Sequence, residues 1–313
     1  MADVAVTQGS RDLLTDIDGL AVGHAHDAAA RTGTTVILPD PPVVMAVDVR
    51  GGGPGTRETD ALDPTCLVDR FHGLVLSGGS VFGLAAADGV VGWLSDRGVG
   101  LPLGPRAVPV VPSAILFDLM NGGDKAWGQT PPYRALGRAA AEAAAADFAL
   151  GTAGAAFGAM AGDRPGGLGS ASAVTADGLA VAALIAVNSF GPPTDQAGGH
   201  AFDPARIPLP KLGFIGANTT IGVVATNLAL DKAATRRLAM MAQDGLARAL
   251  RPVHTPFDGD TVFAIATGSH PAAEPLAATL TVAGAMAADC VVRAIDKGLK
   301  AAGAAADFTG GGG

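Results

Sequence analysis

The hydrophobic pattern changes period several times along the chain. Short apolar runs between glycine turns predict strands over Leu20–Gly23, Thr34–Leu38 and Val43–Val49, the last entering Arg50-Gly51-Gly52-Gly53-Pro54-Gly55. Leu74-Val75-Leu76 passes through Ser77-Gly78-Gly79-Ser80 into Val81–Leu94, where apolar residues recur at helical spacing; this predicts strand, tight turn and helix. The Ala-, Leu- and Glu-containing run Pro132–Ala149 predicts a second helix. Ala171–Ala176 and Leu179–Asn188 form a predicted hairpin closed by Ala176-Asp177-Gly178. Then Gly191–Leu212, with five prolines, three glycines and no periodicity, predicts a long surface loop. A buried strand is expected over Thr219–Thr226, and an amphipathic helix over Asp231–Leu250 with Arg236, Arg237, Gln243, Asp244 and Arg248 on its wet faces. A further strand, Asp260–Thr267, precedes a long helix over Pro275–Ala301, and Asp307–Gly313 is expected to fray.

Composition narrows this picture. Hydrophobic residues make up 49% of the 313 and charged residues 16%, which indicates a compact globule with buried subunit interfaces and argues against disorder. The chain is long enough to bury roughly three quarters of its unfolded surface, as one large domain or two small ones. There are 11 Phe, 2 Trp and 1 Tyr against 45 Gly, so the core has to be built from small side chains in close layers. A net charge of −8 without any Lys/Arg cluster argues against a nucleic-acid partner. Cys66 and Cys290 show neither disulfide nor metal spacing and read as reduced thiols. Met1–Asp12 lacks the features of a secretory leader, and Phe148–Gly162 is too short and weak to cross a bilayer, so the expected location is cytoplasmic.

Several residues could carry chemistry. Asn218-Thr219-Thr220 stands where the long loop meets an apolar strand. A threonine hydroxyl needs a nearby base, and a free α-amine on the same residue, with pKa of about 7.7 to 8, is the shortest such arrangement. Cleavage before Thr219 would create that amine; alternatively Thr219 is a β-branched strand residue. Asp258-Gly259-Asp260 places two carboxylates where they can orient an ammonium and a hydroxyl, or else form an acidic turn. Asn188 can offer an amide N–H to an oxyanion, or initiate a turn. The glycine runs at Arg50–Gly55 and Ser77–Ser80 look like phosphate cradles but match neither a P-loop nor a dinucleotide fingerprint, and read as turns where backbone approaches backbone or substrate. His24-Ala25-His26-Asp27 could bind a metal, yet His72, His200, His254 and His270 fall in no ligand spacing, and no metal is assigned.

In ordered blocks the sequence resembles the P1 family of peptidases, the L-aminopeptidase/D-esterase and β-peptidyl aminopeptidase group that includes the 6-aminohexanoate-oligomer (nylon) hydrolases. The blocks are Gly19–His24, Arg50–Asp60, Leu76–Leu84, Val108–Pro112, Gly166–Ser170, Ala186–Asn188, Asn218–Thr220 and Phe257–Phe263. The resemblance implies an α+β fold, a four-layer αββα sandwich of the N-terminal-nucleophile type, as a single domain over 1–313. It implies self-cleavage into an α chain (1–218) and a β chain (219–313), with Thr219 as nucleophile, Asn188 as substrate or oxyanion ligand, and Asp258 and Asp260 orienting the Thr219 amine and hydroxyl. No cofactor is implied; the partners are short peptides or ω-amino-acid oligomers, and a tetramer of processed units is suggested. Asn-Thr with Asp-Gly-Asp is more similar to the nylon-hydrolase branch. An acyltransferase of the ornithine acetyltransferase type, using the same threonine, is the alternative. Members near this branch carry a lysine in the segment aligned with Gly154–Gly162; this chain has Ala159 there, with Arg164 the nearest basic residue.

Overall fold

The computed structural model describes residues 4–194 and 218–309. In chain order the strands are β1 (Val6–Gln8), β2 (Leu20–Asp27), β3 (Thr32–Pro39), β4 (Val44–Val49), β5 (Thr56–Arg57), β6 (Leu74–Ser77), β7 (Ser113–Ile115), β8 (Met160–Ala161), β9 (Arg164–Pro165), β10 (Gly167–Thr175), β11 (Ala180–Val187), β12 (Ile221–Leu228) and β13 (Thr261–His270). The α-helices are α1 (Ala86–Ser95), α2 (Tyr133–Glu142), α3 (Lys232–Ala249) and α4 (Leu276–Thr309). Two mixed sheets carry the fold: a six-stranded one in the order β1-β10-β11-β12-β13-β4, and a five-stranded one in the order β2-β3-β6-β7-β5.

The two faces of β11 explain its uninterrupted apolar sequence. Val181, Ala183, Ile185 and Val187 join the core formed with α3 and α4. Ala180, Ala182, Leu184 and Ala186 join Val22, Ile37, Leu74 and Leu76 of the five-stranded sheet in a second core. A strand buried on both faces has no polar alternation to show. A third core joins Val36 and Val75, on the other face of the five-stranded sheet, to α1 and α2. The length and apolarity of α4 would suit a membrane span, but its buried residues pack into the first core.

Small residues set the spacing of these contacts. A Cβ on Gly169 would stand 1.7 Å from Ala294 O, and one on Gly167 2.2 Å from Gly298 O, so the backbones of β10 and α4 nearly touch. The same device brings α2 onto β2, where a Cβ on Gly23 would meet Ala140 O at 1.9 Å. The buried Lys232 ammonium donates to Asp63 O and Cys66 O at 2.8 Å and to Val68 O at 2.9 Å, which ties that loop to the start of α3. Cys66 and Cys290 are both free thiols.

Several boundaries differ from expectation. The helix expected to reach Ala149 stops at Glu142, because Ala145 pairs with Val22 through two backbone hydrogen bonds and extends the β2 edge. The helix expected from Val81 begins as a 3₁₀ segment, Ser80–Ala85, before α1. Gln243, expected on a wet face of α3, is fully buried; its Nε2 donates to Asp48 O at 2.8 Å on the edge strand β4. The loop expected over Gly191–Leu212 lies outside the described residues beyond Thr194, as does the tail beyond Thr309; Asp307–Thr309 belong to α4.

Gly169→Ala should lower stability by about 1–3 kcal/mol, because backbone must move to admit the methyl group. Gly92→Ala, at a position in α1 with open space around it, should raise stability by up to about 1 kcal/mol. Urea unfolding of the two variants measures both signs.

Candidate active site

Four strand ends converge at one end of the six-stranded sheet. The antiparallel β11/β12 pair sets Ala186 opposite Ile221, and the parallel β12/β13 pair sets Ile221 opposite Thr261. On the far side, β13 pairs with β4 so that Thr261 faces Val49. The end of β11 (Asn188), the entry to β12 (Asn218-Thr219-Thr220), the entry to β13 (Asp258-Gly259-Asp260) and the exit of β4 (Arg50–Gly55) therefore meet. Asn218 and Asp258 form a parallel bridge just outside the strands. β12 begins two residues later than expected, which leaves Thr219 and Thr220 in irregular backbone with their own hydrogen-bond partners.

Thr219 is buried and its peptide group is held on both sides. Its N–H donates to Asn188 O at 2.6 Å, and its Oγ1 donates to Asn218 O at 2.6 Å. The Gly259 N–H donates to Thr219 Oγ1 at 3.1 Å and to Asn218 O at 3.1 Å. One backbone donor thus faces both the hydroxyl and the carbonyl of the preceding residue, a position suited to stabilising negative charge on either oxygen. Position 259 has no room for a side chain, since a Cβ would stand 2.8 Å from both Gly53 O and Thr219 Oγ1.

The Arg50–Gly55 run lies against this turn. Gly53 N donates to Asp258 O at 2.7 Å, Arg50 N donates to Asp260 O at 3.0 Å, and a Cβ on Gly51 would be 2.3 Å from Asp260 N. The second glycine turn is filled by protein. The buried Asp118 carboxylate accepts from Gly79 N at 2.8 Å and from Thr32 Oγ1 at 2.6 Å, where a phosphate cradle would be open. Burial pushes the Asp118 carboxyl above its ordinary range.

Asn188 is fully buried and its side chain is committed. Its Oδ1 accepts from Met160 N at 2.8 Å, and its Nδ2 donates to Phe117 O at 2.9 Å. Asn121 Nδ2 also lies 3.4 Å from Asn188 Oδ1. Asn188 meets Thr219 through its carbonyl rather than its amide. Asp258 and Asp260 likewise flank Thr219 without bonding its hydroxyl: Asp260 Oδ1 accepts from Thr220 N at 2.8 Å, and Asp258 Oδ2 accepts from Thr255 N and Oγ1 at 2.9 and 2.6 Å. Ala159 is buried one residue before the Met160 N–H that anchors Asn188, whereas Arg164 is exposed on β9.

The two histidines of the Gly23–Asp27 region serve packing. His24 Nδ1 lies 3.1 Å from Thr35 Oγ1, its ring meets Phe148 edge-on, and burial lowers its pKa to about 4. His26 stacks on Phe157 at 4.1 Å. Among the described residues no three His, Cys, Asp or Glu side chains are grouped to hold a metal ion. Gly259, Gly53, Phe117, Asn121, His254 and Thr255 were not singled out from the sequence for the site. The signal for Gly53 and Gly259 was their place in glycine-containing turns; the others depend on tertiary pairing that no local pattern records.

Burial, and then the charge of Asp260, push the Asp258 carboxyl above its ordinary range, against the opposing hydrogen bonds from Thr255. A carboxyl with a raised folded pKa stabilises the fold fully below its unfolded value of about 3.9 and loses that contribution as pH rises through the folded value. Asp258→Asn should therefore unfold at a higher temperature than the parent chain at pH 7, with the difference disappearing by about pH 4. Thermal melts across that range measure it.

The chain matches the model of peptidase family S58 over residues 12–311. It is 44% identical to an uncharacterised aminopeptidase of Mycobacterium tuberculosis (strain ATCC 25618 / H37Rv), covering 91% of this chain and 93% of that protein. It is 31% identical to the 6-aminohexanoate-oligomer endohydrolase of Kocuria sp. (strain KY2), covering 83% and 76%. Among solved structures, the L-aminopeptidase D-Ala-esterase/amidase of Ochrobactrum anthropi, described as a variant of the Ntn hydrolase fold, superposes with a TM-score of 0.74 at 22% identity, covering 96% and 89%. The fold is thus that of the Ntn-hydrolase-like aminopeptidases, and the chain belongs to peptidase family S58, as an enzyme that hydrolyses peptide or amide bonds.

Proposed function

We propose that this protein is an autoprocessing N-terminal-threonine amidohydrolase. The observation that carries the reading is the buried scissile group, in which Thr219 Oγ1 and Asn218 O share the Gly259 N–H. In the first stage the Thr219 hydroxyl attacks the Asn218 carbonyl carbon. The Asn218–Thr219 C–N bond breaks and the hydroxyl proton passes to the departing nitrogen, leaving an ester on Oγ1 and a free Thr219 amine. Water then hydrolyses the ester, giving a chain over 1–218 that ends in the Asn218 carboxylate and a chain over 219–313 that begins with Thr219.

In the second stage the freed amine accepts the Thr219 hydroxyl proton while Oγ1 attacks a substrate amide carbon. The amine product leaves with a proton, and water releases the acyl group from Oγ1. Gly259 N–H is positioned to stabilise the oxyanion in both stages, an effect worth about 3–4 kcal/mol per donor. Asn188 holds the peptide N–H before cleavage and serves as substrate or oxyanion ligand afterwards. Asp258 and Asp260 orient the new amine and hydroxyl.

The substrates we propose are short peptides with a free N-terminus or ω-amino-acid oligomers; relatives named as an aminopeptidase and as a 6-aminohexanoate-oligomer endohydrolase support both classes. Three separate cores, between helices and sheet, between sheet and sheet, and between sheet and helices, support a four-layer αββα stack. The working unit we propose is a cytoplasmic, cofactor-free tetramer of processed chains.

Intact-mass measurement of the purified protein should show two fragments, the smaller beginning at Thr219. Thr219→Ala should remain full-length and lose more than about 10³-fold in amide hydrolysis. An uncut parent chain that hydrolyses amides, or hydrolysis retained by Thr219→Ala, would overturn the mechanism.

A further inference from the structure

We infer that the dipeptide His254-Thr255 is a clamp that positions the two active-site carboxylates, each residue fixing one carboxylate with a backbone N–H and a side-chain donor together. This rests on the reading of Thr219 as the nucleophile. His254 N and His254 Nδ1 both meet Asp260 Oδ2 at 2.9 Å. Thr255 N and Thr255 Oγ1 both meet Asp258 Oδ2, at 2.9 and 2.6 Å. Two consecutive residues thus treat two carboxylates in the same way, and both carboxylates are almost fully buried.

The pairing is specific on the histidine side. Against an ionised Asp260, whose Oδ2 only accepts, Nδ1 is the nitrogen that carries the ring proton in this contact. His254 Nε2 is buried without a hydrogen-bond partner among the described residues. Among the described residues the ring's polar contact is Asp260. The backbone at His254 has φ +56, a left-handed conformation that a non-glycine residue adopts at a cost.

The clamp acts through the carboxylates on the nucleophile's surroundings. With Oδ2 of Asp260 held by His254, Oδ1 stays on the N–H of Thr220, the residue that follows the nucleophile. With Oδ2 of Asp258 held by Thr255, that carboxylate stays fixed on the residue whose backbone bridges to Asn218, immediately before Thr219. Removing a side-chain donor frees a buried carboxylate to rotate and misaligns Thr219 without touching it. His254 and Thr255 are therefore positioning residues.

Self-cleavage offers a readout in which the chain is its own substrate. Newly synthesised full-length chain from a cell-free pulse is followed by intact mass for the parent, His254→Leu, His254→Asn, Thr255→Val and Thr255→Ser, with thermal melts of Thr219→Ala versions to compare folding. His254→Leu and Thr255→Val should cleave about 10–100-fold more slowly than the parent, as when other orienting partners are lost. His254→Asn, whose Nδ2 can replace Nδ1, and Thr255→Ser, which keeps the hydroxyl, should recover to within about 5-fold of the parent. Wild-type rates in the Leu and Val variants would overturn the clamp while leaving the Thr219 mechanism intact. So would Asn and Ser variants as slow as Leu and Val with unchanged melting. If His254→Leu fails to fold, the Thr255 pair decides by the same comparison. A parent chain that never cleaves would overturn the Thr219 reading and the clamp with it.

Discussion

The parallel pairing of β12 with β13, in a sheet whose other pairs run antiparallel, is the constraint on which the site depends. Parallel neighbours begin at the same end of a sheet and need a long crossover between them. Here α3 supplies the crossover, and the entries to the two strands, about 40 residues apart in sequence, come to lie side by side. Thr219 at one entry and Asp258-Gly259-Asp260 at the other can then share hydrogen bonds directly. Antiparallel partners on either side complete the set, because β11 ends and β4 ends where β12 and β13 begin.

That arrangement tolerates little bulk. Gly51 and Gly259 leave no space for a Cβ, so the glycine run after β4 and the acidic turn before β13 meet backbone to backbone. The edge strand β4 is fastened to α3 by Gln243 on Asp48 O, and Arg50 reaches Met240 O at 2.8 Å, which fixes the place from which the glycine run departs. Small residues do the same further out, where Gly167 and Gly169 admit α4 against β10. The scarcity of aromatic residues is thus a consequence of layers that pack at backbone distance, with volume supplied by many small contacts.

Much of the fold was legible in the sequence, and the reasons are local. Helix α3 lies between an Asp231 N-cap, which accepts from Ala234 N at 2.8 Å, and Leu250, within a residue of the range its amphipathic period predicts. The hairpin of β10 and β11 was visible in its turn and its Val/Ile content, although Gly167–Ser170 was missed as strand because glycine weakens the local signal. The early end of α2 was not visible, since alanines favour helix and only the tertiary pairing of Ala145 with Val22 overrides them. Gln243 misled for a similar reason: a polar residue at a helical position reads as wet until a strand carbonyl is found opposite it.

At the site, the residues with a chemical signature were recognisable and their supports were not. Thr219, Asn188, Asp258 and Asp260 lie together, but their present partners are backbone groups and side chains supplied by other turns. Two carboxylates separated by a single glycine and buried beside Thr219 repel one another and carry a desolvation cost, and both effects hold the Asp258 carboxyl above its ordinary range. Such a pair persists only where donors compensate it, and the donors here are peptide N–H groups of Thr220, His254 and Thr255 with two side chains added. Peptide N–H groups exist at every non-proline position, so no sequence pattern marks the ones a fold will aim at a carboxylate. The support of this site is therefore written in chain direction at the ends of four strands, and it becomes readable only once those strands have paired.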